Sequence, residues 1–149
     1  MHPFDLKQAL LAKHAQHVVL IHFPIALFAA GVAFDAVSRW RDDASFQRAA
    51  YYNFAVAAFF TLPAVATGLL AWQFQLEGQK LKGLLLLHLL FASVSTLFLW
   101  LVWLLHFRAQ RRPRQSRPLF LLAAELVGLA AITLTAHLGG FLSGVNGPG

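Results

Sequence analysis

The chain has 149 residues, of which 58% are hydrophobic and only 12% charged, with a mean hydropathy of +0.62. Ordinary soluble domains carry about 25% charged residues, and so short a chain cannot bury this much apolar surface in one water-facing core. Composition therefore excludes a soluble globular enzyme, a disordered protein and a nucleic-acid-binding domain. The net charge of +6 does not change this, because the twelve Lys and Arg fall in short clusters between apolar runs, as in membrane proteins.

Four runs reach the roughly 20 apolar residues that a spanning helix needs. The first extends from about Val18 to Ser38 and meets Arg39-Trp40-Arg41-Asp42-Asp43. The second covers about Tyr51 to Trp72, and Gly78, Lys80, Lys82 and Gly83 punctuate the connection after it. The third covers Leu84 to about Phe107 and stops at the Arg108–Arg114 cluster with Pro113. The fourth starts at Leu119, after Pro118, and continues to about Leu138. No run alternates apolar and polar residues as a membrane strand would. The predicted class is all-α: a polytopic membrane protein folded as an antiparallel four-helix transmembrane bundle. Residues 1–17 read as an interfacial amphipathic segment, 18–138 as the membrane domain and 139–149 as a glycine-rich tail. No internal repeat is evident.

Basic residues set the expected orientation. The first and third connections carry Arg39, Arg41, Arg48, Arg108, Arg111, Arg112, Arg114 and Arg117, against Lys7, Lys13, Lys80 and Lys82 on the other side. Eight positives against four make the arginine side cytoplasmic, with both termini in the periplasm of a bacterial inner membrane.

The chain has no cysteine, so disulfides, iron–sulfur clusters and covalently attached haem are excluded. It has seven histidines. At 1.5 Å per residue, His22 and His88 each lie roughly 6 Å inside the outer ends of the first and third helices. His137 falls near the outer end of the fourth, and His17 sits roughly 7–8 Å above His22. An intramembrane histidine is costly unless it meets a partner in the bundle interior. Three at one depth are expected to hold haem b between helices, and the fourteen phenylalanines and Gly68, Gly139 and Gly140 suit a flat apolar ring. The expected axial pair is His22 and His88, with His137 the alternative and His17 an accessory. Copper or zinc bound by the same side chains satisfies the spacing equally.

Asp35 and Glu125 are the carboxylates inside the apolar runs. Asp35 is expected to pair with Arg39 one turn on. Glu125 lacks a basic neighbour on its own helix, which leaves a contact with Arg39 across the bundle, a proton relay or a quinone-side group. His106 is expected beside Arg108 at the interface. Pro24 and Pro63 are expected to bend or start helices, and Ala124 with Gly128 to let two helices approach closely.

The run His17-Val18-Val19-Leu20-Ile21-His22-Phe23-Pro24-Ile25-Ala26-Leu27 with Phe34-Asp35 resembles the start of the bacterial membrane proteins grouped as domain of unknown function 2231. Thr67-Gly68-Leu69-Leu70-Ala71-Trp72, His88, and Ala136-His137-Leu138-Gly139-Gly140 resemble that family's other signatures. The resemblance covers all four helices. It implies a four-helix inner-membrane protein associated with respiratory or cytochrome-containing gene neighbourhoods, and it implies no particular activity. Together these readings predict a b-type cytochrome-like subunit more than a stand-alone enzyme. It would pass electrons between the quinone pool and a periplasmic cytochrome or other respiratory subunit. The alternative is a non-redox membrane subunit, or one whose histidines bind copper or zinc. No arrangement of groups suggests hydrolysis or group transfer.

Overall fold

The computed structural model describes residues 13–75, 78, 80–110 and 118–144. The segment 1–12, which holds His2 and most of the expected interfacial segment, and residues 145–149 of the expected tail lie outside them, as does the side chain of His14. Among the described residues there are four helices: α1 (Lys13–Arg41), α2 (Ala44–Gln75), α3 (Gly83–Gln110) and α4 (Leu119–Leu142). No strand occurs among the described residues. Each helix is long and apolar enough to cross a bilayer, and large apolar side chains such as Leu62, Leu90, Leu97 and Phe120 remain more than half exposed on the surface. Such a surface requires lipid around it.

The helices run past the expected ends. Arg39 and Arg41 do not stop α1 but form its last turn, where cations suit the helix C-terminus. Asp42 then adopts φ 50°, a left-handed conformation that aspartate tolerates better than most residues. Asp43 accepts hydrogen bonds from Ser45 N–H at 2.7 Å and Ser45 Oγ at 2.6 Å, which caps α2 within two residues of the end of α1. At the other extreme α4 continues through Gly139 and Gly140, so the first part of the expected tail is helical. Pro24 and Pro63 both lie inside helices, α1 and α2 respectively.

Two antiparallel hairpins, α1–α2 and α3–α4, make the broadest seams, and narrower ones join α2 to α3 and α1 to α4. Helices α1 and α3 are therefore diagonal. Between the hairpins lies a core of Phe28, Val32, Ala50, Phe54, Ala57, Leu99, Val102 and Ile132. Close approach depends on two glycines. A Cβ on Gly31 would lie 2.7 Å from the Phe54 ring, and one on Gly128 would lie 2.9 Å from Phe28. The expected small-residue contact of α4 is thus the α1–α4 seam, at Gly128.

The structure contains the internal repeat that the sequence does not display. Among the described residues, four of the six buried positions in α1 recur 71 residues later in α3: Pro24 with Ser95, Phe28 with Leu99, Gly31 with Val102, and Asp35 with His106. Four of the six in α2 recur at the same offset in α4: Ala50 with Leu121, Phe54 with Glu125, Ala57 with Gly128, and Thr61 with Ile132. Hydrogen bonds repeat as well. The His17 ring bonds through Nδ1 to the Ala64 carbonyl at 3.1 Å, and the His88 ring bonds through Nδ1 to the Thr135 carbonyl at 3.1 Å, again 71 positions on at both ends. Each ring rests on a glycine of the facing helix, Gly68 for His17 and Gly139 for His88. Two hairpins of like direction, related in this way, form a parallel repeat about an axis along the membrane normal.

Candidate functional site

On the diagonal helices α1 and α3, the repeat-paired positions Asp35 and His106 come close together. Asp35 is fully buried and His106 is 3% exposed. Glu125 of α4 joins them, also fully buried. His106 Nε2 and Glu125 Oε1 are 2.8 Å apart, so one proton bridges imidazole and carboxylate. Asp35 Oδ2 accepts a hydrogen bond from Arg39 Nε one turn along α1, the pairing expected from sequence. One ligand atom from each of Asp35, His106 and Glu125 lies within 4.8 Å of the others. The second oxygen of Glu125, Oε2, is buried with no hydrogen-bond partner.

Position follows from helix packing. Asp35 and His106 lie roughly 9 Å and 6 Å before the ends of their helices, and Glu125 roughly 9 Å after the start of α4. All three sit toward the Arg39 end of the bundle. The Phe54 ring packs on the His106 imidazole with centroids 4.7 Å apart. Phe54 is the repeat partner of Glu125, so His106 has an aromatic ring from one hairpin and a carboxylate from the other. Ser38 Oγ donates to the Asp35 carbonyl at 2.8 Å, which keeps that hydroxyl within its own turn.

Charge can be counted directly. Arg39 offsets Asp35. Glu125 is offset when the His106–Glu125 pair carries one proton beyond the single N–H of neutral imidazole, and the group is one unit negative when it does not. Unbalanced charge in this apolar setting is costly, so a cation is the species this arrangement can accept.

The expected haem-site residues occupy other places. His17 lies on the α1–α2 seam, where Nδ1 is also 3.3 Å from Thr67 Oγ1, and His88 lies on the α3–α4 seam. The side chains of His22 and His137 are exposed. His22 Nδ1 donates to the Val18 carbonyl of its own helix at 2.6 Å, and His137 packs edge-on against Phe141. His17 and His88 turn into separate hairpin seams, and the glycines expected to make room for a macrocycle make room for their rings. His106, expected at the interface beside Arg108, is instead the buried partner of Glu125. Sequence reasoning singled out Glu125 but missed His106. The available signal was that Asp35, His106 and Glu125 all fall within the last or first few turns of helices that end on the same side.

Comparison with protein families decides the chain's kinship. Residues 13–147, nearly the whole chain, match the family described as Predicted membrane protein (DUF2231). The chain belongs to this family. Membership agrees with the four spanning helices and establishes a multi-pass membrane protein. Searches of curated proteins and of solved structures gave no match. The function of this family member must therefore be read from its own buried cluster.

Proposed function

We propose that the protein is a proton-handling membrane subunit whose working element is the Asp35–Arg39–His106–Glu125 cluster. The observation that carries this reading is the 2.8 Å His106–Glu125 contact inside the bundle, with both side chains at most 4% exposed. Ionisable groups are rare in spanning helices because they are expensive there, and chains of Asp, Glu and His are the usual carriers of protons through membrane proteins. The Arg39 side chain is 18% exposed, and on this reading the cluster exchanges its proton from that side. By the eight-to-four basic asymmetry that side is the cytoplasm of a bacterial inner membrane. The test is proton uptake by the protein in lipid nanodiscs after a pH jump. Wild type takes up one more proton per chain than Glu125→Gln over the titration range; equal uptake by the two contradicts the reading.

A second reading concerns the opposite end of the bundle and is supported by the tautomer of His88. Donation of Nδ1–H to the Thr135 carbonyl leaves the lone pair on Nε2, the arrangement that ligating histidines adopt. On that reading haem b, or a copper or zinc ion, binds through His88 with His22, His137 or His17. Electrons then pass between the quinone pool and a periplasmic cytochrome or other respiratory subunit. A reduced-minus-oxidised absorption spectrum of the purified protein that is lost in His88→Ala supports it. A colourless, metal-free protein removes it.

A further inference from the structure

Resting on the cation-holding reading of the same cluster, the charge count has a specific consequence. Two buried carboxylates, Asp35 and Glu125, call for two positive charges: the guanidinium of Arg39 supplies one, and a second proton on the His106–Glu125 pair would supply the other. One divalent cation carries the same charge as those two together. We infer that the cluster binds a zinc-class divalent cation through one oxygen each of Asp35 and Glu125 and through His106 Nε2, with Arg39 displaced.

Donor geometry fits such an ion. Zinc binds imidazole nitrogen and carboxylate oxygen at about 2.0–2.2 Å, which sets tetrahedral donors roughly 3.3 Å apart. The three donors already lie within 4.8 Å of one another and come from three different helices, so side-chain rotations close the remaining gap. The buried Oε2 of Glu125, which has no hydrogen-bond partner, supplies a carboxylate oxygen that need not give up an existing contact. One nitrogen among two oxygens selects a borderline ion such as Zn²⁺ over Mg²⁺ or Ca²⁺, which prefer all-oxygen shells. Arg39 has somewhere to go. It lies two residues before the end of α1 and is the one member of the cluster whose side chain is measurably exposed, at 18%. Long basic side chains near helix ends reach the interface readily. Arg39 is then a tethered competitor of the metal, and its replacement has the opposite sign from replacement of a ligand.

The experiment uses the full chain in lipid nanodiscs with Co²⁺ as the spectroscopic probe and Zn²⁺ as its competitor. Wild type binds one Co²⁺ per chain with the absorption of a four-coordinate N/O site, three protein donors and one water, and Zn²⁺ displaces it while Mg²⁺ does not. Asp35→Asn and Glu125→Gln lose that spectrum. Arg39→Gln binds at least about tenfold more tightly, because a nearby positive charge has been removed. The inference is overturned by absence of Co²⁺ binding in wild type, by a spectrum that survives Glu125→Gln, by equal competition from Mg²⁺, or by weaker binding in Arg39→Gln. Should Arg39→Gln not fold, wild type against Glu125→Gln still decides. Proton uptake measured without metal separates the two readings. Uptake without Co²⁺ binding removes the metal alone, and Co²⁺ binding without uptake removes the proton alone.

Discussion

The two ends of the bundle carry the same scaffold and put it to opposite uses. At one end the repeat is kept. His17 and His88 occupy equivalent places, bond to equivalent main-chain carbonyls and rest on equivalent glycines. At the other end the repeat is broken where it matters chemically: Asp35 faces its counterpart His106, and Phe54 stands where the other hairpin has Glu125. The kept positions tie helices together. The broken ones set the buried His106–Glu125 pair of the second hairpin beside Asp35 of the first. In a duplicated fold, chemistry is best sought at equivalent positions whose residues have diverged. In the core the divergence is only one of size, with Phe28 and Gly128 on one seam and Leu99 and Ala57 at the matching positions of the other.

The largest expected effect comes from breaking the cluster by halves. His106→Ala strands the buried Glu125 and should cost about 3–5 kcal/mol in denaturant unfolding from detergent micelles. The double replacement His106→Leu with Glu125→Leu should recover nearly all of this, since well-packed apolar residues often replace a buried pair at no cost. A double variant as unstable as the single one would make the cluster a structural clamp and dissolve the contrast between the ends. Next in size are the close approaches. Gly31→Ala and Gly128→Ala push a Cβ to within 2.7 Å of Phe54 and 2.9 Å of Phe28. Each should lower stability by about 1–3 kcal/mol in the same assay, the usual cost of overpacking.

Smaller effects sharpen the description of the conserved end. His17→Leu and His88→Leu each remove one interhelical hydrogen bond, and such bonds average about 0.6 kcal/mol in membrane proteins. Similar small losses from both variants, read as unfolding midpoints, would support equivalence of the two hairpins, and a large loss from one alone would argue against it. The smallest effect lies at the connection. Hydrogen bonds from the Ser45 side chain and backbone, aided by Arg48 and Arg41, hold the Asp43 carboxyl below its ordinary aspartate range. A carboxyl depressed in the folded state adds stability that is present above its unfolded pKa and fades as pH falls through the folded value. Capping of α2 should therefore weaken only under acid conditions. An Asp43 carboxyl carbon signal that titrates at or above the ordinary value would refute the cap.

Much of the fold was legible because bilayer thickness imposes it. Four apolar runs, their polar connections and the small-residue contact at Gly128 follow from length, charge and residue size. Helix ends were less legible. Arg39 and Arg41 look like stop signals, yet a helix tolerates arginine in its last turn when the side chain meets Asp35 or the interface. The repeat escaped notice because lipid and core accept many apolar residues interchangeably. Phe28 and Leu99 share a position and differ in size, Thr61 and Ile132 share one and differ in polarity, and only His17/His88 and Gly68/Gly139 keep their identity among the pairs described. Depth along the helices drew attention to histidines at one end, but depth does not report which way a ring turns. His22 turns to its own backbone and His88 to the α4 seam. His106 was set aside because it had no second histidine at its level, although a carboxylate on another helix serves as well.

The most direct test of the buried acid–base pair is the infrared carboxyl signal of Glu125, recorded as a pH-difference spectrum in H₂O and D₂O. A carboxyl band that responds to pH, shifts in D₂O, moves in His106→Asn and disappears in Glu125→Gln is the expected result. A spectrum with no pH-dependent carboxyl band, or one that Glu125→Gln leaves unchanged, would contradict a proton shared between His106 and Glu125.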